Sequence, residues 1–77
     1  MEKMKKVLNI LRAIADGSEK LKKHFATPNE YRTAEDIFIE LVKTGRAETI
    51  STKVAKWYGS YGFTVEPKGI GYCIMQN

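Results

Sequence analysis

The sequence predicts an α+β protein in which a helical region is followed by a C-terminal β-hairpin. Up to residue 61, apolar side chains recur at intervals of three and four, the spacing of helices with one buried face. Residues 63–75 instead alternate apolar and polar side chains around a Pro-Lys-Gly sequence, which is the period of paired strands. Because the chain has 77 residues and no repeat or linker divides it, we expect a single domain, 1–77, with one modest core.

The N-terminal region predicts two helices. The first covers Glu2–Ala15. Its apolar side chains share one helical stripe: Met4, Val7, Leu8, Leu11, Ile14 and Ala15. Gly17 is its predicted end, because glycine accepts the left-handed conformation that closes a helix. Ser18 is predicted to cap a short second helix that ends at Phe25, since the approach to Pro28 disfavours helical geometry.

The middle of the chain predicts a third helix over residues 34–43. A loop through Asn29 and Tyr31 is expected before it, and Thr33 is placed to cap its first turn. Its apolar face has four members: Ile37, Phe38, Leu41 and Val42. Gly45 is the predicted terminator.

A fourth helix is predicted over Ser51–Tyr61, with the hydroxyl of Ser51 as its N-cap. Its inner side is apolar and aromatic: Val54, Trp57, Tyr58 and Tyr61. Gly62 ends the helix. The segment Thr44–Ile50 is interpreted as the connector between the third and fourth helices.

The remaining residues predict the two strands of the hairpin. The side chains expected on the buried face are Phe63, Val65, Ile70, Tyr72 and Ile74. The predicted turn is Pro67–Gly69, because proline presets its own backbone angle and glycine accepts a positive one.

Charge is unevenly distributed along the chain. The net charge is +4, with seven Lys/Arg against three Asp/Glu in residues 1–24, three against five in residues 25–49, and three against one in residues 50–77. If the two basic ends meet in the fold, they form a basic face suited to a polyanion. The alternative is that scattered lysines only solvate the surface.

The sequence contains no convincing catalytic or metal-binding arrangement. His24 and Cys73 are its single His and Cys, and no Gly-rich phosphate loop accompanies them. We therefore expect no enzyme activity, no metal and no cofactor, and we read Cys73 as a small buried side chain in a reducing compartment. The sequence shows neither a secretory signal nor a membrane span, so the expected location is the cytoplasm and no membrane partner is expected.

The order of elements in the second half of the chain resembles a known family. The helix ending at Lys43, the connector Thr44–Ile50, the helix Ser51–Tyr61 and the following hairpin together resemble the winged helix-turn-helix family over roughly residues 33–75. The likeness is one of pattern, with no diagnostic motif. The connector is longer than the tight turn typical of that family.

The resemblance implies that the helix after the connector faces a groove of double-stranded DNA. Its five contacting residues would be Ser51, Thr52, Lys53, Lys56 and Ser60. Lysines would bind phosphates or base acceptors, and hydroxyls would bind phosphates and base edges. Arg46 in the connector and Lys68 in the hairpin turn would contact the DNA backbone.

The implied function is that of a small DNA-binding regulatory protein, of the size found among phage and mobile-element accessory proteins. A homodimer formed through the amphipathic first helix would add phosphate contacts. The competing hypothesis is a protein-binding module or inhibitor that occupies a partner protein's surface. Its support is the acidic middle of the chain, which suits a basic partner: Glu30, Glu35, Asp36, Glu40 and Glu48. The sequence leaves both hypotheses open.

Overall fold

The computed structural model describes residues 2–17, 25 and 28–76. These residues form three helices: α1 (Glu2–Ala15), α2 (Pro28–Thr44) and α3 (Thr52–Ser60). They also form three strands: β1 (Arg46–Thr49), β2 (Thr64–Lys68) and β3 (Gly71–Met75). The predicted α+β class is confirmed, with the hairpin of β2 and β3 at the C-terminal end.

Helix α1 has the predicted bounds, and four members of its predicted stripe are buried: Met4, Val7, Leu11 and Ile14. Leu8 is half-buried and Ala15 is exposed, so the prediction was wrong for Ala15. Gly17 follows it with a φ of +86°, and its N–H donates to the carbonyl of Ile14 at 3.0 Å, which closes the last turn as expected. The short helix predicted from Ser18 to Phe25 lies outside the described residues, except for Phe25 itself. The Phe25 ring is buried and its centroid lies 4.9 Å from that of Trp57.

Helix α2 begins at Pro28, six residues before the predicted start. The predicted loop through Asn29 and Tyr31 and the predicted cap at Thr33 are therefore wrong. Proline is favoured in the first turn of a helix, because its fixed φ is already helical and its missing N–H would have had no helical partner there. The C-terminal end is as predicted, since Gly45 follows the helix with a φ of +82°.

The connector between α2 and α3 contains a strand that the sequence did not predict. Strand β1 occupies residues 46–49 and pairs with β3, so the sheet has the order β1-β3-β2 and both pairings are antiparallel. Ala47 lies opposite Ile74, which in turn lies opposite Val65. The extra strand satisfies the edge of β3 that β2 leaves unpaired, because exposed ladder groups favour a partner.

The turn of the hairpin also differs from the prediction. Pro67 and Lys68 belong to β2, and the loop consists of Gly69 and Ile70. Gly69 has a φ of +59°, whereas no residue other than glycine has a positive φ in the described part of the chain. A positive φ at the first loop residue alone is the requirement of a type II′ turn, which suits the twist of a two-residue hairpin.

Each edge strand of the sheet has a feature that disfavours pairing with a further strand. The N–H of Gln76 donates to the carbonyl of Gly45 at 2.9 Å, so these two residues form a hydrogen-bonded pair at the end of the β1–β3 ladder. Hydrogen-bonded and non-hydrogen-bonded pairs alternate in an antiparallel ladder, so the N–H and C=O of the next residue, Arg46, point away from β3. The hydroxyl oxygen of Thr44 lies 3.3 Å from the nitrogen and 2.8 Å from the oxygen of Arg46. On the other edge, Pro67 has no N–H to offer.

The buried side chains of the helices and of one face of the sheet form one cluster, and Tyr58 on α3 lies within it. Its ring meets those of Trp57 and Phe63 edge-on, at centroid distances of 5.0 and 5.2 Å. Its hydroxyl donates to the carbonyl of Ala34 at 2.6 Å, which joins α3 to α2. Burial raises the pKa of the Tyr58 hydroxyl well above its ordinary value.

Candidate nucleic-acid interface

Helix α3 has two distinct faces. Its apolar face is buried in the core and consists of Val54, Ala55, Trp57 and Tyr58. Its polar face is exposed and carries four of the predicted contact residues: Thr52, Lys53, Lys56 and Ser60. At about 100° per residue, these four side chains fall within a third of the helix circumference. We call this set the outer face of α3.

Two serines at the ends of α3 bond to its own backbone. The hydroxyl of Ser51 accepts the N–H of Val54 at 3.2 Å, which confirms Ser51 as the N-cap. The hydroxyl of Ser60 donates to the carbonyl of Trp57 at 2.6 Å. Ser51 therefore sets where the helix starts, while the oxygen of Ser60 keeps acceptor capacity toward solvent.

Thr52 links the outer face of α3 to the sheet. Its hydroxyl lies 3.1 Å from the hydroxyl of Tyr72 on β3. Tyr72 was predicted only as a buried strand residue, and its ring is half-buried. The pair places two hydroxyl groups side by side at the N-terminal end of the outer face, where each can donate or accept a further bond.

The two lysines of the outer face differ in their surroundings. The ammonium nitrogen of Lys53 lies 3.9 Å from a carboxylate oxygen of Glu30, at the limit of an ion pair, and the lysine side chain is 47% exposed. Lys56 is exposed, and no carboxylate of residues 2–17, 25 or 28–76 pairs with it. Glu30 brings the acidic middle of the chain to the margin of this face.

The basic N-terminus of α1 reaches the other end of α3. The ammonium group of Lys3 donates to the carbonyl of Gly62 at 3.3 Å, directly after the C-terminal end of α3. It also lies 5.2 Å from the centre of the Phe63 ring, a cation–π contact. The two basic ends of the chain therefore do meet in this part of the fold. Sequence reasoning did not assign Lys3, because only a contact across 59 residues places it here.

Arg46 and Lys68 lie on the other side of the sheet from the helices. Their strands alternate, so these side chains share a face with Cys73, while Ile74 points into the core. The guanidinium of Arg46 donates to the sulfur of buried Cys73 at 3.4 Å. The structure does not bring these two predicted contact residues onto the outer face of α3.

Lys68 is engaged in an ion pair on that open side of the sheet. Its ammonium group lies 2.8 Å from a carboxylate oxygen of Glu48, and the bridge crosses the central strand from β2 to β1. The hydrogen bond from Lys68, together with its charge, lowers the pKa of the Glu48 carboxyl. Both side chains are more than half exposed, so the pair is open to solvent and to competing ions.

An open cleft lies where the hairpin loop meets the end of β1. It has a volume of about 290 Å³, and the side chains of Ile50 and Ile70 beside it are 75% and 93% exposed. The strands approach so closely here that a Cβ on Gly71 would collide with the carbonyl oxygen of Thr49. Only glycine fits this position. The prediction of Ile70 on the buried face of the hairpin was wrong, because Ile70 lies in the loop and not in a strand.

Comparison with known proteins adds no family to this description. No family model matches the chain, and the searches of curated proteins and of solved structures found no match. Within residues 2–17, 25 and 28–76, no three side chains of the types that bind metals lie together. None of the described helices combines the length and the apolar character needed to cross a membrane.

Proposed function

We propose that the protein is a small, non-enzymatic DNA-binding regulator of the winged-helix type that acts in the cytoplasm and presents the outer face of α3 to a DNA duplex. The observation that carries the proposal is that Lys53, Lys56, Thr52 and Ser60 share one exposed face of a well-packed helix. Such a helix combines cations for phosphates with hydroxyls for phosphates and base edges.

The neighbourhood of α3 supports the same proposal. Lys3 at the C-terminal end of the helix extends the positive charge beyond the two lysines of the outer face. The opposite face of the helix is anchored by Trp57 and Tyr58, so that phosphate contacts are made from a fixed support. On binding, the Glu30 carboxylate gives up Lys53 to a phosphate, a small loss because the two charged atoms are 3.9 Å apart and the lysine is exposed to solvent.

The test measures duplex binding as a function of salt for the wild type and for a Lys53→Ala, Lys56→Ala double variant. Each lysine that contacts a phosphate contributes about one unit to the slope of log affinity against log salt, so the double variant loses about two units. Lys68→Ala is the matched control, because it removes a lysine from the other side of the sheet. If the folded double variant keeps the wild-type affinity and the wild-type salt slope, the outer face of α3 is not the DNA-binding site.

Amide-shift mapping with a mixed-sequence duplex, at low and then moderate salt, locates the contacts directly. The expected result is a set of salt-sensitive shifts over residues 51–60 and around Lys3. Shifts confined to the side of the sheet that carries Arg46 and Lys68 would place the duplex on that side instead. The complete absence of shifts at low salt contradicts general DNA affinity.

A second candidate function is supported by the cleft beside Ile50 and Ile70. Two isoleucines that are 75% and 93% exposed are apolar groups that a protein partner can bury. In this function the chain is a protein-binding module, and its binding resists salt because the contact is apolar. An Ile50→Ser, Ile70→Ser double variant should lose such a partner while the Lys53, Lys56 variant keeps it. A partner bound equally by both variants excludes the cleft.

A further inference from the structure

A second apolar surface lies on α2, away from both features described above. Ile39 is 45% exposed and Val42 is 62% exposed, three residues apart and therefore neighbours on the same side of the helix. The opposite side of α2 carries the buried residues Ala34, Ile37 and Leu41. Ile39 and Val42 are thus an aliphatic pair that the fold itself does not cover.

Charged residues of opposite sign flank this pair at its two ends along the helix. Asp36 lies one turn toward the N-terminus and Lys43 lies one turn toward the C-terminus from Ile39, and both are exposed. The two are seven residues apart, so they lie on the same flank of α2. Between residues 35 and 43 this surface therefore has an acidic end at Glu35 and Asp36, an aliphatic centre and a basic end at Lys43, and Arg32 follows one turn beyond the acidic end.

We propose that this surface of α2 binds the same surface of a second copy of the chain, with the two helices antiparallel about a twofold axis. A twofold contact requires a surface that complements itself. In the antiparallel arrangement each flank meets the same flank of the other copy, so Asp36 lies beside Lys43 of the second copy, twice. A parallel arrangement sets this flank of each copy against the other flank of its partner, so Asp36 and Lys43 do not pair between the copies.

The arrangement also covers the aliphatic centre. If the twofold axis passes between residues 39 and 40, Ile39 of each copy lies within about one helical turn of Val42 of the other copy. Both side chains are then removed from water. Helix α2 has 17 residues and spans about 25 Å, so a single helix pair buries less than a standard interface and the association is weak and concentration-dependent.

The surface on α2 differs from the dimer surface expected from the sequence. That expectation placed dimerisation on the apolar stripe of α1, but Met4, Val7 and Leu11 are buried within the chain. Helix α2, in contrast, carries two exposed aliphatic side chains, Ile39 and Val42. The inference does not depend on DNA binding, because none of its residues belongs to the outer face of α3.

The first test is sedimentation equilibrium of the full chain over a wide concentration range, for the wild type, Val42→Lys and Ile70→Lys. Val42→Lys should weaken self-association at least about tenfold, because it buries an unpaired charge in the contact. Ile70→Lys makes the same change at a more exposed isoleucine in the hairpin loop and should leave association unchanged. A wild type that stays monomeric at all concentrations, or equal weakening by both substitutions, overturns the proposal.

A charge exchange tests the orientation of the two copies. Asp36→Lys alone and Lys43→Glu alone should each weaken self-association, since each places like charges together twice. The double variant Asp36→Lys, Lys43→Glu should regain wild-type association, and an equal mixture of the two single variants should form mixed dimers. If the single variants associate as the wild type does, or if neither combination restores association, the antiparallel contact is wrong.

Discussion

The two faces of the sheet are held by different kinds of interaction. On the helix side, Ile74 and Ala47 are buried in the core cluster next to the aromatic rings of α3. On the open side, Cys73 is covered by the guanidinium of Arg46 and lies near the bridge from Lys68 to Glu48. The helix side depends on the removal of apolar groups from water, which salt does not screen, whereas the open side depends on exposed charges, which salt does screen.

The fold therefore tolerates substitutions unequally on the two sides of the sheet. Substitutions on the helix side disturb packed atoms that have no alternative partners. Substitutions on the open side exchange one solvated contact for another.

Leu41→Ala should destabilise the protein by about 2–5 kcal/mol, because Leu41 is fully buried and its removal leaves a cavity between α2 and the rest of the core. The free energy of unfolding from urea titration measures the loss. Val42→Ala is the matched control one residue away, at an exposed position, and should change the free energy by about 0.5 kcal/mol or less. Equal effects at the two positions would contradict the orientation of α2.

Gly71→Ala should cost about 1–3 kcal/mol, because its new methyl group forces β3 away from the Thr49 carbonyl. Gly59→Ala is the control: a Cβ there meets only the Val65 side chain at an ordinary 3.6 Å. Alanine at this helical position should raise the free energy of unfolding by about 0.5–1 kcal/mol. The two substitutions should change the free energy of unfolding, measured by heat or by urea, in opposite directions. An unchanged free energy of unfolding in Gly71→Ala would contradict the close approach of β1 to β3 at this position.

Tyr58→Phe should cost about 1–3 kcal/mol, because it keeps the packed ring but removes the buried hydrogen bond to the Ala34 carbonyl. Urea unfolding at neutral pH gives this difference. Tyr61→Phe, at a partly exposed ring of the same helix, serves as the comparison and should lie close to the wild type.

The same hydroxyl predicts a pH dependence. The pKa of Tyr58 in the folded chain is raised above its ordinary value of 10.0, so its contribution to stability is complete below pH 10. Above that pH the unfolded chain loses the proton first, and stability falls by up to about 1.4 kcal/mol per pH unit from this group. Tyr58→Phe should lose stability less steeply in alkali. Parallel profiles for the two proteins would show that Tyr58 is not protected from solvent.

The smallest effect is expected on the open side of the sheet. Lys68→Met should raise the pKa of Glu48 toward its ordinary value, because it removes both the hydrogen bond and the charge that lower it. The contribution of the pair is present at neutral pH and is lost as the pH falls through the pKa of Glu48 in the folded chain. Carboxyl carbon shifts followed by NMR measure the change, with Lys43→Met as the control. A Glu48 pKa unaffected by Lys68→Met contradicts the bridge.

Elements with a clear apolar period could be predicted from the sequence, and strand β1, which has none, could not. Helix α1 and helix α3 show their buried stripes over several turns, and the N-cap at Ser51 follows from its hydroxyl. Strand β1 has only Ala47 buried among its four residues, so no alternation marks it. The sequence prediction ends a helix before Thr27 because Pro28 follows, but proline also starts helices, and the sequence alone does not separate the two roles.

The candidate site shows the same division. Helical periodicity was enough to place Lys53 and Lys56 on one exposed face, because that inference uses only local geometry. The partners of Lys68 and Lys3 depend on contacts across 20 and 59 residues. Such contacts follow from the pairing of β1 with β3 and from the packing of α1, neither of which has a local signal in the sequence.

The hydroxyl of Thr44 has a consequence for how this protein behaves at high concentration. It occupies the position that the backbone of an incoming strand would take beside Arg46, and Pro67 withholds a donor on the opposite edge. A sheet closed in this way has little tendency to recruit a fourth strand from a neighbouring molecule, the first step of fibril growth. We therefore expect the last side chain of α2 to lower the tendency of this sheet edge toward amyloid-like aggregation.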